Sequence, residues 1–128
     1  ESKGWEFFRS LEEKYFAQIA ADEKDAVVAT GGGIVESSAN REILKNKGTA
    51  VWLKAGIDTI IARINKDRNS KNLRPSLTDL SQKEEIESVL NKRDPLYSDC
   101  ALFSLETDSL STNEIAEIIK NKINITGK

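Results

Sequence analysis

The sequence predicts an α/β protein, a three-layer α/β/α sandwich built on a parallel sheet. Helix-patterned and strand-patterned segments alternate along the chain, the trace that βαβ units leave in a sequence. The strand candidates, residues 26–29, 50–53 and 101–105, are short and apolar on nearly every side, which suits strands buried on both faces. The helix candidates carry apolar residues three and four apart, giving one face to pack and one to solvate.

The first helix is expected over residues 5–21, where Phe8, Leu11, Tyr15, Phe16 and Ile19 recur at helical spacing. A charged turn at 22–25 leads into the apolar run 26–29, which stops at Thr30-Gly31-Gly32-Gly33. Ser37 or Ser38 can cap a second helix running to about Lys47, with Gly48 as its stop. Residues 50–53 form the second strand, and Asp58 caps a helix with Ile60, Ile61 and Ile64 inward. Residues 67–82 are polar and carry Arg68, Arg74 and Pro75 without apolar period, the mark of a mobile loop. A helix follows from about Ser81, with Ile86, Val89 and Leu90 at core spacing, and Pro95 is read as a turn. After the strand at 101–105, Thr112 or Asn113 opens a last helix that buries Ile115, Ile118 and Ile119. Three strands make a small sheet for three layers, and the chain opens on a helix with no strand before it. An N-terminal segment outside these residues is therefore expected.

Composition narrows the chemistry. Of the 128 residues 38% are hydrophobic and 31% charged, enough for a core. The net charge of -2 offers no general attraction to nucleic acid or an anionic membrane, and the apolar runs are too short to span a bilayer. The lone Cys100 cannot form an internal disulfide, which points to a reducing cytoplasm. There is no histidine, so Ser-His-Asp triads, Cys-His dyads and His-ligated zinc are excluded within the chain. The chemistry available is that of carboxylates, arginines, lysines, backbone amides and a hard metal ion.

Two constellations point to an anionic substrate. Gly31, Gly32 and Gly33 fall at the carboxyl end of a predicted parallel strand, the edge where open α/β sheets bind ligands. Glycines there let backbone N–H groups approach an anion. Arginines form the second. Arg9 on the first helix, Arg68 and Arg74 in the loop and Arg93 beside Pro95 carry forks that match carboxylate or phosphate. Arg41 and Arg63 read as a solvated charged face. Arg9 follows Phe8 on the packing side of its helix, so it needs a partner, which Glu12 can supply one turn on.

Four strings, in this order, resemble the shikimate kinase family: Gly-Trp-Glu-Phe-Phe-Arg-Ser-Leu-Glu at 4–12, Ala-Thr-Gly-Gly-Gly at 29–33, Leu-Arg-Pro-Ser-Leu at 73–77 and Arg-Asp-Pro-Leu-Tyr at 93–97. The resemblance covers essentially every residue of one partial domain, 1–128. It implies the P-loop kinase fold of nucleoside monophosphate kinases and ATP-dependent phosphorylation of the 3-hydroxyl of shikimate. That is a cytoplasmic step toward chorismate and the aromatic amino acids. By the same resemblance Phe8, Arg9 and Arg93 bind shikimate, the two arginines through its carboxylate, and Glu12 orients Arg9. Gly31, Gly32 and Gly33 meet substrate hydroxyls and the γ-phosphate. Arg74 reaches from a lid at about 67–82 into the transfer site, and Arg68 lies against the adenine of ATP. Ser76 departs from the family's lid string, and residues 108–113 lack the proline frequent in its adenine loop.

The family opens with a strand, a Gly-x-x-x-x-Gly-Lys-Ser/Thr loop, a helix and a strand bearing Asp-x-Asp. No such strings occur in residues 1–128. These would hold the phosphates and most of the Mg2+ ligands. The resemblance places the family's first strand between those at 26–29 and 49–53. Its absence implies two bare edges prone to self-association, and a chain inactive by itself. The competing readings are a related gluconate or nucleotide kinase, or a non-catalytic binding module.

Overall fold

The computed structural model of the chain describes residues 2–22, 24–67 and 79–125. In chain order these form helix α1 (Ser2–Ala21), a 3-10 helix (Gly32–Glu36), helix α2 (Ser38–Asn46), strand β1 (Val51–Lys54), helix α3 (Ile57–Lys66), helix α4 (Asp79–Cys100), strand β2 (Phe103–Glu106) and helix α5 (Thr112–Ile125). They divide into two compact units. Unit 1 comprises Glu1–Ala50 and Arg93–Leu102; unit 2 comprises Val51–Lys92 and Phe103–Lys128. The expected lid falls largely on residues 68–78, so Arg68 and Arg74 lie outside the described residues.

Unit 1 is built on a small apolar centre. Ile34, Val35 and Cys100 are buried, and Phe16, Leu44, Leu96 and Tyr97 pack around them. The apolar face expected of α1 is only partly used. Phe16 reaches the cluster, whereas Phe8, Tyr15 and Ile19 are each about half exposed. Ser37 caps α2 by accepting from the Asn40 N–H at 3.2 Å, and its hydroxyl donates to the Glu13 carboxylate on α1. One serine thus starts a helix and ties it to its neighbour. Asn40, 1% exposed, donates from Nδ2 to the Ile34 carbonyl at 3.0 Å and fixes the 3-10 helix against α2.

Two expectations fail here. Residues 26–29 are in no strand, since a strand needs a ladder partner and none is supplied among the described residues; Val27 is fully exposed. Pro95 makes no turn but lies inside α4. A proline there removes the N–H that would reach the Asn91 carbonyl, a cost of about 3 kcal/mol or more. The helix continues because its last turns are held from outside. Leu96, Tyr97 and Cys100 join the core, and Asp99 pairs with Lys45 at 2.7 Å.

In unit 2, β1 and β2 pair in parallel, Val51 opposite Phe103 through Lys54 opposite Glu106. The expected parallel pairing is present; the expected three-stranded sheet is two-stranded among the described residues. The strand boundaries lie one or two residues later than predicted. Ile60, Ile61 and Ile64 of α3 and Ile115, Ile118 and Ile119 of α5 are half-buried. Gly56, not Asp58, is the N-cap of α3, and its N–H donates to Asp108 Oδ1 at 3.0 Å. Helix α5 opens at Thr112, one of the two expected residues, with Ser111 before it. Ser111 Oγ accepts from the Glu114 N–H at 3.1 Å while Glu114 accepts from the Ser111 N–H at 2.8 Å. This reciprocal capping box was legible in the string Ser111-Thr112-Asn113-Glu114.

Candidate functional site

The glycine turn of unit 1 lies between two arginines that stand 84 positions apart in sequence (93 less 9). A Cβ added to Gly33 would stand 2.6 Å from the Arg9 Cζ, and one added to Gly32 would stand 3.5 Å from the Arg93 Nη1. Adjacent Cα atoms are about 3.8 Å apart, so the two guanidinium groups lie within roughly 12 Å of each other. No larger side chain fits at Gly33 while Arg9 keeps this position. Gly33 is thus needed here for close approach, and Gly32 is tight, its added Cβ standing 3.0 Å from the Tyr97 hydroxyl.

Each arginine is held by its own carboxylate. Arg9 Nη1 donates to Glu12 Oε1 at 2.7 Å, as the one-turn spacing predicts. Its guanidinium also lies over the rings of Trp5 and Phe8, 5.4 and 5.3 Å from their centroids, and those rings meet edge to face. Phe8 therefore contributes a π face to the placement of Arg9. Arg93 Nε donates to Glu36 Oε2 at 2.7 Å. The side chains of both pairs are mostly shielded, 32% and 14% exposed for Arg9 and Glu12, 20% and 25% for Arg93 and Glu36. These pairs are better defined than the surface pair of Lys83 with Asp58, whose carboxylate is 88% exposed.

The structure thus brings together Phe8, Arg9, Glu12, Gly31, Gly32, Gly33 and Arg93. The Gly31 Cβ position is 3.8 Å from Glu12 Oε2. Two residues not singled out in the sequence belong to the same cluster. Glu36 pairs with Arg93, and the Tyr97 hydroxyl donates to the Gly32 carbonyl at 2.8 Å. Tyr97 is one helical turn after Arg93, a spacing that puts both on one face of α4. Nothing comparable in the sequence marks Glu36.

Two arginines read as solvated are structural. Arg41 Nη1 donates to the Val35 carbonyl at 2.6 Å in unit 1. In unit 2 Arg63 donates to the Thr107 hydroxyl at 3.1 Å and to its carbonyl at 3.0 Å. Thr107, 2% exposed, in turn donates to the Lys54 carbonyl at 2.7 Å. Beside this network Leu53, Arg63, Thr107, Leu110, Ser111, Thr112 and Ile115 line a cleft of about 560 Å³. Burial pushes the Cys100 thiol above its ordinary pKa, with Asp99 adding to the rise. That thiol is a packing group, as expected. Among the described residues no three His, Cys, Asp or Glu side chains converge as a metal site, and no helix is long and apolar enough to cross a membrane.

Parallel strands alternating with helices are the architecture of an α/β fold, and two arginines on a glycine turn make a candidate anion site within it. The shikimate kinase family model matches residues 1–124. A shikimate kinase of Rhodopirellula baltica is 38% identical over 114 residues, covering 88% of this chain and 60% of that protein. Shikimate kinase 2 of Photorhabdus laumondii is 36% identical over 118 residues, 92% of this chain and 66% of the relative. The structure of Acinetobacter baumannii shikimate kinase in complex with shikimate superposes with a TM-score of 0.80 at 30% identity, over 93% of this chain and 64% of that one. The chain belongs to the shikimate kinase family. It spans about 60–66% of the length of the curated relatives named here.

Proposed function

We propose that the protein transfers the γ-phosphoryl group of ATP to the 3-hydroxyl of shikimate. The observation that carries the reading is the convergence of Arg9 and Arg93 on consecutive glycines, in a chain of this family. Two fixed, carboxylate-paired guanidinium groups are suited to a planar monoanion, which each can meet through unused N–H donors. Arg9, oriented by Glu12 and backed by Phe8, and Arg93 hold the shikimate carboxylate. Gly31, Gly32 and Gly33 allow the hydroxyl-bearing ring to approach the backbone. Holding the carboxylate at one end of a rigid ring fixes the direction of the 3-hydroxyl, so orientation supplies much of the rate.

The remaining roles are proposed from family resemblance. Arg74 neutralises charge on the transferring phosphoryl group when a lid at about 67–82 closes, and Arg68 lies against adenine. Mg2+ accompanies ATP in this reaction, and when bound it screens phosphate charge. The described residues alone do not make a site for it. By the family resemblance its ligands, with the phosphate-binding loop and its lysine, are assigned to a segment outside residues 1–128. Residues 1–128 alone are then inactive, because the loss of even one preorganised donor costs about 3 kcal/mol. The uncovered run at residues 26–29, with Val27 fully exposed, is where such a segment would add a strand. Without it, self-association through this run is the expected behaviour.

The test is ADP release with shikimate and MgATP, by residues 1–128 alone and with an added N-terminal segment bearing Gly-x-x-x-x-Gly-Lys-Ser/Thr. The reading expects no turnover alone and turnover on addition. Near-normal turnover by residues 1–128 alone would place the catalytic centre elsewhere. No turnover by the full-length protein with shikimate, but binding retained, would favour the non-catalytic reading; turnover with gluconate or a nucleotide instead would favour a related kinase.

A further inference from the structure

The 3-10 helix carries a carboxylate of its own at the glycine turn. Glu36 ends the same five-residue helix that begins at Gly32, and it accepts from Arg93 Nε at 2.7 Å. A guanidinium is planar, with Nε and Nη1 both in that plane and pointing in different directions within it. Glu36 takes the Nε side, and the Nη1 side is turned to Gly32, 3.5 Å from the position of an added Cβ. One tie and one close contact therefore set the plane of Arg93. Both come from the glycine helix, so the turn itself positions the arginine. Tyr97 repeats the connection one helical turn later, from the same α4 face to the Gly32 carbonyl.

Charge gives the arrangement a purpose. Two guanidinium groups within roughly 12 Å of each other repel by at least about 1.4 kcal/mol at an effective dielectric constant near 20. Glu12 answers the charge of Arg9, and without Glu36 the charge of Arg93 would have no such close counterpart in the pairs just described. A partly shielded arginine would then turn toward solvent or toward another acceptor.

We propose that Glu36 is a positioning residue for the substrate carboxylate: it fixes the plane of Arg93 on the glycine turn, as Glu12 fixes Arg9. The inference rests on the reading of Arg9 and Arg93 as the carboxylate clamp. Glu36 does not touch substrate; it acts through Arg93. Glu36→Ala in the full-length protein raises the KM for shikimate roughly tenfold and leaves the KM for ATP within about twofold. Glu36→Gln keeps the shape and one acceptor oxygen, so it folds as wild type and falls between the two.

The experiment is a double-mutant cycle of Glu36→Ala with Arg93→Ala, read as shikimate KM and kcat, with thermal melts of every variant. If Glu36 acts through Arg93, its removal costs nothing further once Arg93 is absent. A purely structural role predicts additive losses and a lowered melting temperature in both backgrounds, and that result overturns the proposal. Tighter shikimate binding by Glu36→Ala also overturns it, since Glu36 would then be competing with the substrate. Should Arg93→Ala leave shikimate KM unchanged, the clamp itself fails and the proposal with it. If Arg93→Ala weakens binding but Glu36→Ala and Glu36→Gln do not, the clamp stands and the role of Glu36 is refuted.

Discussion

Replacing Gly33 by alanine adds a single methyl group at the narrowest point of the proposed site. The new Cβ would stand 2.6 Å from the Arg9 Cζ, whereas ordinary contact begins at about 3.5 Å, so the guanidinium must withdraw by about 1 Å. The Arg9–Glu12 bond is 2.7 Å long, and lengthening it by 1 Å takes it out of hydrogen-bonding range. A charge-assisted bond contributes about 1.5–3 kcal/mol when shielded. With Arg9 about one-third exposed, the lower end of that range applies. A loss of about 1.4 kcal/mol from substrate binding is a tenfold rise in shikimate KM. The backbone is not at issue, because Gly33 has no left-handed φ and the obstructing atoms end a flexible side chain. Stability should stay within about 1 kcal/mol of wild type, helped by the smaller entropy of the unfolded alanine chain. Gly48→Ala, with nothing within 4 Å of the added methyl, is the matched control. The assay is steady-state kinetics of the full-length protein, with urea unfolding run in parallel. An unchanged KM in a folded Gly33→Ala protein would refute the view that Arg9 is placed against this glycine to hold substrate.

Two further outcomes follow from unit 2 and the core. Thr107→Val removes a buried hydroxyl that both donates to Lys54 and accepts from Arg63, and urea unfolding should show a loss of about 1–3 kcal/mol. Native Cys100 should react with a thiol reagent at pH 8 at least about tenfold more slowly than in the unfolded chain, because reaction requires local opening. The thiol's raised pKa contributes stability that is fully present below the ordinary value of 9.0 and is lost as pH rises through the folded value. An alkaline unfolding series should show that slope in wild type and not in Cys100→Ser.

The helices were legible because their periods are local. Ile60, Ile61 and Ile64, and likewise Ile115, Ile118 and Ile119, fall half-buried as their spacing predicts. Residues 26–29 misled because an apolar β-prone run specifies a strand only when another backbone pairs with it. Pro95 misled because proline's local preference was outweighed by the packing of Leu96, Tyr97 and Cys100. At the site, the Arg9–Glu12 pair could be read from a spacing of three. The Arg93–Glu36 bond spans 57 positions, and no local pattern reveals a contact of that range. Arg41 and Arg63 show the same limit. Arg41 donates to a backbone carbonyl, and Arg63 to the hydroxyl and carbonyl of Thr107, 44 positions away, contacts that carry no sequence signature.

The central claim is that Arg9 and Arg93 form a clamp for the carboxylate of shikimate. Calorimetric titration of the full-length protein with shikimate and with its uncharged carboxamide tests this directly. The account predicts that wild type prefers shikimate by at least about tenfold, a difference of 1.4 kcal/mol. It also predicts that the preference disappears in the Arg9→Ala, Arg93→Ala double variant. Equal affinity of the wild type for the two ligands, or a preference that survives loss of both arginines, would contradict it.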